Sequence, residues 1–420
     1  MNAKRSIHLC RALLFALLTV SPVALYPEEH PGPNYSLSQL HALALENSLA
    51  LKATELQIDE VIHAGAREGR WLNPDLGISG GGRFGGKDTG YEYGISIEQE
   101  FYFPGKNRVR RDIARLRQEQ ARLNHEELKH YITFDTTNIA FQYAVAMQKL
   151  RHADGRLKRI RLIQAYLSGR KAISPKHRVE KDIITAKISI LAGQVSETRN
   201  HVYILYNRLN LYTGLGYGKL PTIDVPWYVN PPVFDFPALR ASLEQSNPGI
   251  LKRSSAARRA KEEVRLARKE RAPDFDIGVY YNEESLGSSR ERSVGAGITI
   301  PLPLSGRTGS AIREKESAAR VEMTLLEQSR LEALSRLETL HARYTTATDM
   351  IRAFPLARLD SIERSMRYAD YEFRRGLIDL ATYLEMDSSM HEYIESVYQA
   401  QIDMASVHAE LVFLSGGRAE

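Results

Sequence analysis

The chain has 420 residues, and its 57 lysine and arginine side chains exceed its 51 aspartate and glutamate side chains, giving a net charge of +6. Charges of both signs are interspersed, as on the solvated surface of long helices, so the balance does not indicate a nucleic-acid partner. Cys10 is the only cysteine and lies in the first segment. Disulfides and thiolate metal sites are therefore excluded from the remainder of the chain.

The first 24 residues have the layout of a secretory signal peptide. Lys4 and Arg11 precede an apolar run at residues 12–20, and the small residue Ala24 follows it. This run is shorter than the about 20 apolar residues that a transmembrane helix needs. We therefore predict a signal peptide over residues 1–24 and export of the mature chain.

The sequence indicates an internal duplication. The matched residues are Leu40 with Leu239, Pro74 with Pro273, Asp75 with Asp274, residues 103–106 with 304–307, and residues 209–214 with 411–416. Glycine and proline are concentrated between the two copies. We predict a first repeat at residues 35–213, a linker at 214–236 and a second repeat at 237–416.

Each copy shows the same order of hydrophobic periodicities. In the first copy they predict a helix at 37–71, strands at 76–82 and 91–103 around a loop at 83–90, a long helix at 109–167 and a return helix ending near 212. In the second they predict a helix at 237–271, strands at 275–282 and 293–304 around a loop at 283–292, a long helix at 311–375 kinked at Pro355, and a return helix ending near 414. Helices of this length outrun any globular core, so we expect antiparallel, coiled-coil packing.

The second strand of the first copy has one apolar and one acidic face. The apolar face carries Tyr93, Ile95 and Ile97, and the acidic face carries Glu92, Glu98 and Glu100. We predict that the apolar set meets lipid and that the acidic set lines the lumen of a β-barrel. Four strands cannot close a barrel, and open sheet edges are not tolerated in lipid, so several chains must pool their strands.

Three motifs carry a resemblance to a known family. Asn-Pro-Asp-Leu at residues 73–76 leads into the first strand, Phe-Pro-Gly-Lys at 103–106 follows the second, and Arg-Gly-Leu at 375–377 lies at the far turn. With the repeated order of helix, hairpin and helix pair, they resemble the TolC family of outer-membrane efflux proteins, closest to its cation-efflux branch. The resemblance implies a mixed α and β fold, in which a long antiparallel α-helical coiled-coil tunnel joins a trimeric 12-stranded transmembrane β-barrel with four strands from each chain.

The resemblance also implies a function. A homotrimer in the outer membrane, with its helices in the periplasm, would be the passive exit duct of a tripartite efflux system. Its partners would be outer-membrane lipid, a periplasmic adaptor and an inner-membrane pump of the RND type, and its cargo metal cations or small toxic compounds. Two alternatives stay open, a type I protein-secretion duct and a periplasmic coiled-coil structural protein without a pore.

The resemblance places candidate site residues at the periplasmic tips. Gly376 is the turn glycine of the second copy, and Ser174, beside Pro175, replaces the turn glycine of the first. Acidic residues that narrow the entrance are expected six and nine positions after Gly376, where this chain has Thr382 and Glu385. The neighbouring carboxylates that could share this role are Asp379 and Asp387.

Other motifs have plainer interpretations. Residues 80–85 satisfy a glycine-rich dinucleotide pattern, but a strand follows instead of a helix, so we interpret them as a surface loop. His125 and His130 are five residues apart and fall on different faces of a helix, which disfavours a zinc site. Met386 and Met390 have the spacing of core packing.

Basic side chains from Lys106 to Arg111 begin where a strand ends, and they either meet lipid phosphates or are a solvated helix start. We predict no enzyme activity, no catalytic or metal site and no cofactor.

Overall fold

The structure, a computed structural model, describes residues 33–68, 70–169, 174–304 and 306–417. The predicted signal peptide, with Cys10, lies outside the described residues. Residues 170–173, between the two long helices of the first copy, also lie outside them. Among the residues that are described, no helix is both long and apolar enough to cross a membrane.

The first copy consists of two short helices, a β-hairpin and two long helices. Its elements are β1 (Asn34–Ser36), α1 (Leu37–Asn47), α2 (Leu49–Arg67), β2 (Asp75–Gly85), β3 (Asp88–Phe101), α3 (Lys106–Ser168) and α4 (Pro175–Thr213). At about 1.5 Å per residue, the 63 residues of α3 extend for roughly 95 Å.

The second copy has the same order, with one interruption in its long helix. After β4 (Thr222–Asp224) in the connector, its elements are α5 (Phe236–Ser246), α6 (Pro248–Lys269), β5 (Phe275–Leu286), β6 (Ser289–Thr299), α7 (Arg307–Ala353), a short 3₁₀ turn (Leu356–Arg358), α8 (Leu359–Arg375) and α9 (Leu380–Leu414). The connector between the copies contributes β4, which pairs in parallel with β1.

The first helix of each copy is broken, whereas the sequence predicted one continuous helix. Ser48 separates α1 from α2 and caps α2, because its Oγ accepts the backbone N–H of Leu51 at 3.2 Å. Asn247 separates α5 from α6 in the same way and accepts the N–H of Ile250 at 3.0 Å. Leucine spacing continues across the first break, so hydrophobic periodicity alone could not reveal it.

Both hairpins are longer and their turns tighter than predicted. The loops predicted at 83–90 and 283–292 are wrong, because the paired strands continue through most of them. The first turn is closed by Gly86 at φ +61° and the second by Gly287 at φ +57°, a conformation that glycine adopts without steric cost. Residues 80–85, which we interpreted as a loop, form the outer half of β2.

The predicted kink at Pro355 is a complete interruption. The helix α7 ends at Ala353, and Pro355 adopts an extended conformation before the 3₁₀ turn leads into α8. Proline has no N–H to donate to the preceding turn, and its ring clashes with that turn, so the helix restarts.

The four long strands form one antiparallel sheet in the order β2-β3-β5-β6. The two hairpins are joined through β3 and β5, in which Phe101 lies opposite Phe275 and Gly90 opposite Leu286. The edge strands are β2 and β6, and each has a partner on only one side within the described chain.

The start of α3 is fastened to the second copy. Lys106 is 2% exposed, and its Nζ lies 2.8 Å from Oδ1 of Asp274, which also accepts the backbone N–H of Phe103 at 2.6 Å. The contact joins the two copies where the sheet meets the helices. Lys106 is therefore not available to lipid phosphates, which corrects that interpretation for the first residue of the basic segment.

The apolar core is distributed along the helices instead of forming one centre. One cluster joins α1, α3 and α4 around Leu40 and Tyr143, and another joins α3, α4, α8 and α9 around Ile160 and Tyr383. A third cluster joins α5, α6, α7 and α9. The helices are therefore held to each other over their whole length.

Candidate functional site

One face of the sheet is apolar in its central rows. Strand register places residues of the same parity on this face, and the central rows contain Leu76, Ile78, Ile95, Ile97, Ile277, Val279, Val294 and Ile298. Aromatic side chains lie at both ends, Phe101 and Phe275 near the helices and Tyr91 and Tyr93 near the turns. Most of these side chains are exposed in the single chain.

The opposite face is polar and rich in glycine. Glu92, Glu98 and Glu100 all lie on it, in the arrangement that period-2 alternation predicts. Glu92 lies opposite Glu284 of β5, which in turn lies opposite Glu291 of β6. Sequence reasoning missed Glu284 and Glu291, although counting the same alternation through the second hairpin would have found them.

A basic residue balances part of this acidic row. Arg83 of β2 forms an ion pair with Glu284 across the intervening strand. Nearer the helices, Glu100 lies opposite Asp276 and Glu98 lies opposite Asp75. Like charges directly opposite each other on a sheet are destabilising, so these pairs require a hydrated surface.

The far end of the helices turns at Gly376, as the sequence predicts. Gly376 has φ +78°, and its N–H donates to the carbonyl oxygen of Phe373 at 3.0 Å while that of Leu377 donates to Glu372 at 3.0 Å. This pair of bonds closes α8 in a Schellman motif, which needs a left-handed residue at that position.

Asp379 and Thr382 are engaged in starting α9. The carboxylate of Asp379 accepts the backbone N–H of Thr382 at 2.8 Å, and this bond lowers the pKa of Asp379 below its usual range. Glu385 follows Thr382 on the same helix face and is exposed. Within the described part of the chain its carboxylate contacts neither a cation nor a hydrogen-bond donor.

Asp387 lies in the interior and not at the exposed tip. Its Oδ2 accepts from Nε of Arg156 at 2.7 Å and lies 2.6 Å from the NH2 nitrogen of the same guanidinium, while Arg159 approaches Oδ1 at 4.0 Å. The side chains of Asp387 and Arg156 are 1% and 4% exposed. A carboxylate held in this way joins α9 to α3, so it cannot share the entrance with Glu385.

Ser174 and Pro175 begin α4. Ser174 Oγ accepts the backbone N–H of His177 at 3.2 Å, and Pro175 occupies the first helical position. Ser174 is therefore the counterpart of Asp379, the cap of α9, and not of the turn glycine Gly376.

A pair of histidines lies between α3 and α9 near the Asp387 ion pair. The rings of His152 and His391 stack with centroids 5.5 Å apart. Burial lowers the pKa of His152 to about 4, and burial also lowers the pKa of His391, so both rings are neutral at neutral pH. His391 therefore packs against a helix in the way predicted for its neighbours Met386 and Met390. The described residues contain no cluster of three or more side chains that could hold a metal ion.

Part of the chain matches a known protein family by sequence. Residues 239–417, nearly all of the predicted second repeat, match the family described as outer membrane efflux protein. No curated protein matches the chain by sequence.

The fold of the chain is similar to solved outer-membrane channels. The CmeC outer membrane channel of Campylobacter jejuni superimposes with a TM-score of 0.75 at 16% identity, over 91% of this chain and 86% of that chain. The open-state MtrE outer membrane channel of Neisseria gonorrhoeae gives 0.70 at 14% identity, over 91% and 89%. CusC, whose structures concern folding and transmembrane channel formation, gives 0.69 at 17% identity, over 89% and 91%.

The second copy thus carries the sequence signature of outer membrane efflux proteins, and the whole chain has the fold of outer-membrane channels. Both findings agree with the predicted resemblance at the level of the family. The matched family and the superimposed structures are efflux proteins and channels and not enzymes, which agrees with the prediction from the sequence.

The buried pair gives a first prediction. Asp387→Asn leaves Arg156 without its charge partner in the interior, and breaking a buried ion pair costs about 3–5 kcal/mol. We expect a clearly lower midpoint of thermal unfolding, followed by circular dichroism of the purified protein in detergent. Asp379→Asn is the matched control, because asparagine caps a helix as well as aspartate. Equal midpoints for the two variants would contradict a structural role for Asp387.

Proposed function

We propose that the chain is one subunit of a trimeric outer-membrane efflux channel. Each subunit gives four strands to a shared β-barrel, and the helices continue as a tunnel into the periplasm. The four-stranded sheet carries the proposal, because it combines an apolar face, a polar face and two edges that have no partner strand within the described part of the chain. A closed barrel in lipid satisfies all three features at once.

The dimensions of the apolar face fit a membrane. Tyr93 and Phe101, in the two aromatic rows, are eight residues apart on β3. At about 3.3 Å per residue the distance between them is roughly 26 Å along the strand, or about 20 Å along the axis of a barrel with the usual strand tilt of about 35–45°, which lies within the about 25 Å height of the apolar band of outer-membrane barrels. A periplasmic spacer protein without a pore would need no such face, which argues against that alternative.

The helices also present apolar surface that a single chain leaves open. On α4, exposed apolar side chains lie at multiples of seven residues, at Ile183, Ile190, Ile204 and Leu211, and the series is interrupted once by Glu197. Apolar residues at seven-residue intervals are typical of a helix that packs in a coiled coil. Neighbouring copies in a trimer would cover this stripe.

The two copies carry complementary charges at related positions. Within the chain, Arg258 on α6 forms an ion pair with Glu119 on α3. The counterparts of these residues in the other copy are Asp59 on α2 and Arg320 on α7, with the two charges exchanged. Both counterparts are exposed in the single chain. In a trimer, α7 of one subunit would meet α2 of the next, as α3 meets α6 within the chain, and Arg320 would then pair with Asp59.

We assign to this channel the role of a passive exit duct in a tripartite efflux system. An RND-type inner-membrane pump would supply the energy, a periplasmic adaptor would contact the tips near Gly376 and Ser174, and metal cations or small toxic compounds would be the cargo. At the entrance, Glu385 is the candidate constriction residue, because its carboxylate is exposed and unpaired in the described chain. Asp379 and Thr382 lie beside it, while Asp387 is excluded by its burial.

The assembly gives the direct test of this proposal. We expect a trimer by mass measurement after extraction of outer membranes with detergent, and conductance steps when that trimer is added to planar bilayers. Arg320→Glu should lower the temperature at which the trimer dissociates, and Asp59→Arg in the same chain should restore it. Arg352→Glu is the control for reversal of an exposed charge, since its side chain is 73% exposed. A stable monomer from outer membranes would contradict the shared barrel.

The two faces of the sheet give a second test. Single cysteines at Glu92 and Glu98 should react with a membrane-impermeant thiol reagent added to intact cells, because these positions would face the water-filled lumen. Cysteines at Ile95 and Ile97 should stay unlabelled in the membrane and react only after solubilisation. The reverse pattern would show that the strands are turned by one residue.

The entrance gives a third test. Three Glu385 carboxylates converging on one axis would repel each other, and a bound cation would relieve that repulsion. Glu385→Gln should therefore reduce cation preference in single-channel recordings and weaken block by a trivalent cation by about tenfold, the change expected for about 1.4 kcal/mol. Glu338→Gln, which replaces an exposed glutamate on α7, is the control. If Glu385→Gln changes neither the cation preference nor the block by a trivalent cation, Glu385 does not line the entrance.

A further inference from the structure

A compact polar cluster interrupts the apolar face of the sheet near its turns. Glu283 of β5 is its centre, and its side chain is only 5% exposed. Its carboxylate accepts from Nε of Arg292 at 3.0 Å, from the hydroxyl of Tyr281 at 2.8 Å and lies 3.3 Å from Nε of Arg290. An NH2 group of Arg290 also donates to the hydroxyl of Tyr91 at 2.9 Å.

The cluster lies on the face that would meet lipid. Arg292 is directly opposite Glu283, which is opposite Tyr93, while Arg290 is opposite Ser285. The next row towards the helices is fully apolar or aromatic and includes Val294 and Ile95. The arginines therefore begin where the apolar band ends. Because the turns point away from the helices, this end of a barrel in the outer membrane would lie in the outer leaflet.

We propose that Arg290 and Arg292 form a binding site for the phosphate group of an outer-leaflet lipid. The inference rests on the proposed membrane location of the sheet and adds a ligand that the channel function itself does not require. A phosphorylated glycolipid such as lipid A has the required chemistry, a phosphate at the level of the headgroups above an acyl region. The acyl chains would lie along the apolar rows below the arginines.

The charge balance favours an anionic ligand. The cluster contains two guanidinium groups and one carboxylate, so it carries one uncompensated positive charge. Each guanidinium has five N–H donors, and the contacts of Glu283 use only Nε of each arginine, so that carboxylate does not occupy the terminal N–H groups of Arg292. The arginine side chains are 56% and 61% exposed, although their carboxylate partner is buried. Paired guanidinium forks match the geometry of a phosphate.

Glu283 is a positioning residue in this site. Exposed arginine side chains have considerable rotamer freedom, and holding both by Nε orders them before the ligand arrives. The hydroxyl of Tyr281, on the same strand as Glu283, donates to that carboxylate, and the hydroxyl of Tyr91 on β3 accepts a hydrogen bond from Arg290. On β2, the residue in the row of Arg292 is Gly80, which has no side chain. The β2 strand of the next subunit would lie beside β6 in a closed barrel, and this glycine would leave room for a headgroup.

The experiment measures binding of lipid A to the purified trimer in detergent. We expect the wild-type trimer to bind lipid A at least tenfold more tightly than Arg290→Gln with Arg292→Gln. Arg290→Lys with Arg292→Lys should lie between them, because lysine keeps the charge but loses the fork. Arg83→Gln is the matched control, since Arg83 lies at the same end of the sheet on the opposite face. Dephosphorylated lipid A should bind the wild type as weakly as it binds the double glutamine variant.

The outcomes distinguish a lipid phosphate from free phosphate, and the lipid site from the channel function. Inorganic phosphate at the concentration of the lipid should not displace it, and displacement would assign the site to free phosphate instead. Equal lipid binding by the wild type, the double glutamine variant and Arg83→Gln would overturn the lipid site. The proposed channel function would be unaffected by that result, because it is tested separately by the conductance of the same trimers. If the double variant does not assemble, Arg292→Gln alone is measured. A wild-type chain that does not reach the outer membrane would overturn both proposals.

Discussion

The two edges of the four-stranded sheet, which have no partner strand among the described residues, constrain the rest of the molecule. An unpaired backbone N–H or C=O group in lipid costs several kcal/mol, so neither β2 nor β6 can end a sheet there. Pairing β3 with β5 inside the chain joins the two copies, and in the proposed trimer both edges would pair with strands of other subunits. The helices that follow each hairpin would then lie on the same circle as the strands.

Buried polar contacts define how the long helices are arranged. Apolar clusters along helices of this length tolerate sliding and rotation, because one row of leucine or isoleucine resembles the next. Two ion pairs do not tolerate such sliding or rotation, those of Lys106 with Asp274 and of Arg156 with Asp387. A shift of the helices would leave a buried charge without its partner. One pair fixes the junction with the sheet, and the other fixes α3 against α9. Both ion pairs would stay intact in any movement that opens the helix ends near Gly376.

Alternation and long helices were predictable because they are local properties of the sequence. The faces of Glu92 and Tyr93 follow from a period of two, and the length of α3 follows from a sequence that contains no proline between its ends. The contacts of Asp387 were not predictable, because its partner Arg156 is 231 positions away. Ser174 was matched to the turn glycine because both lie near a tip, whereas the capping bond to His177 gives its actual position in the fold.

The segment from Ser289 to Ser293 shows how one strand of the proposed barrel would meet both lipid and a water-filled lumen. Its order Ser-Arg-Glu-Arg-Ser places both arginines on the face with Glu283 and places Glu291 on the other face, beside Glu284. A register shift of one residue would send the arginines inward and the glutamate into the lipid. Adjacent carboxylates on the inner face cost stability, and water in a wide lumen would reduce that cost by screening their repulsion. The opposite charges on the two faces are therefore what a strand between a headgroup layer and a hydrated channel would need.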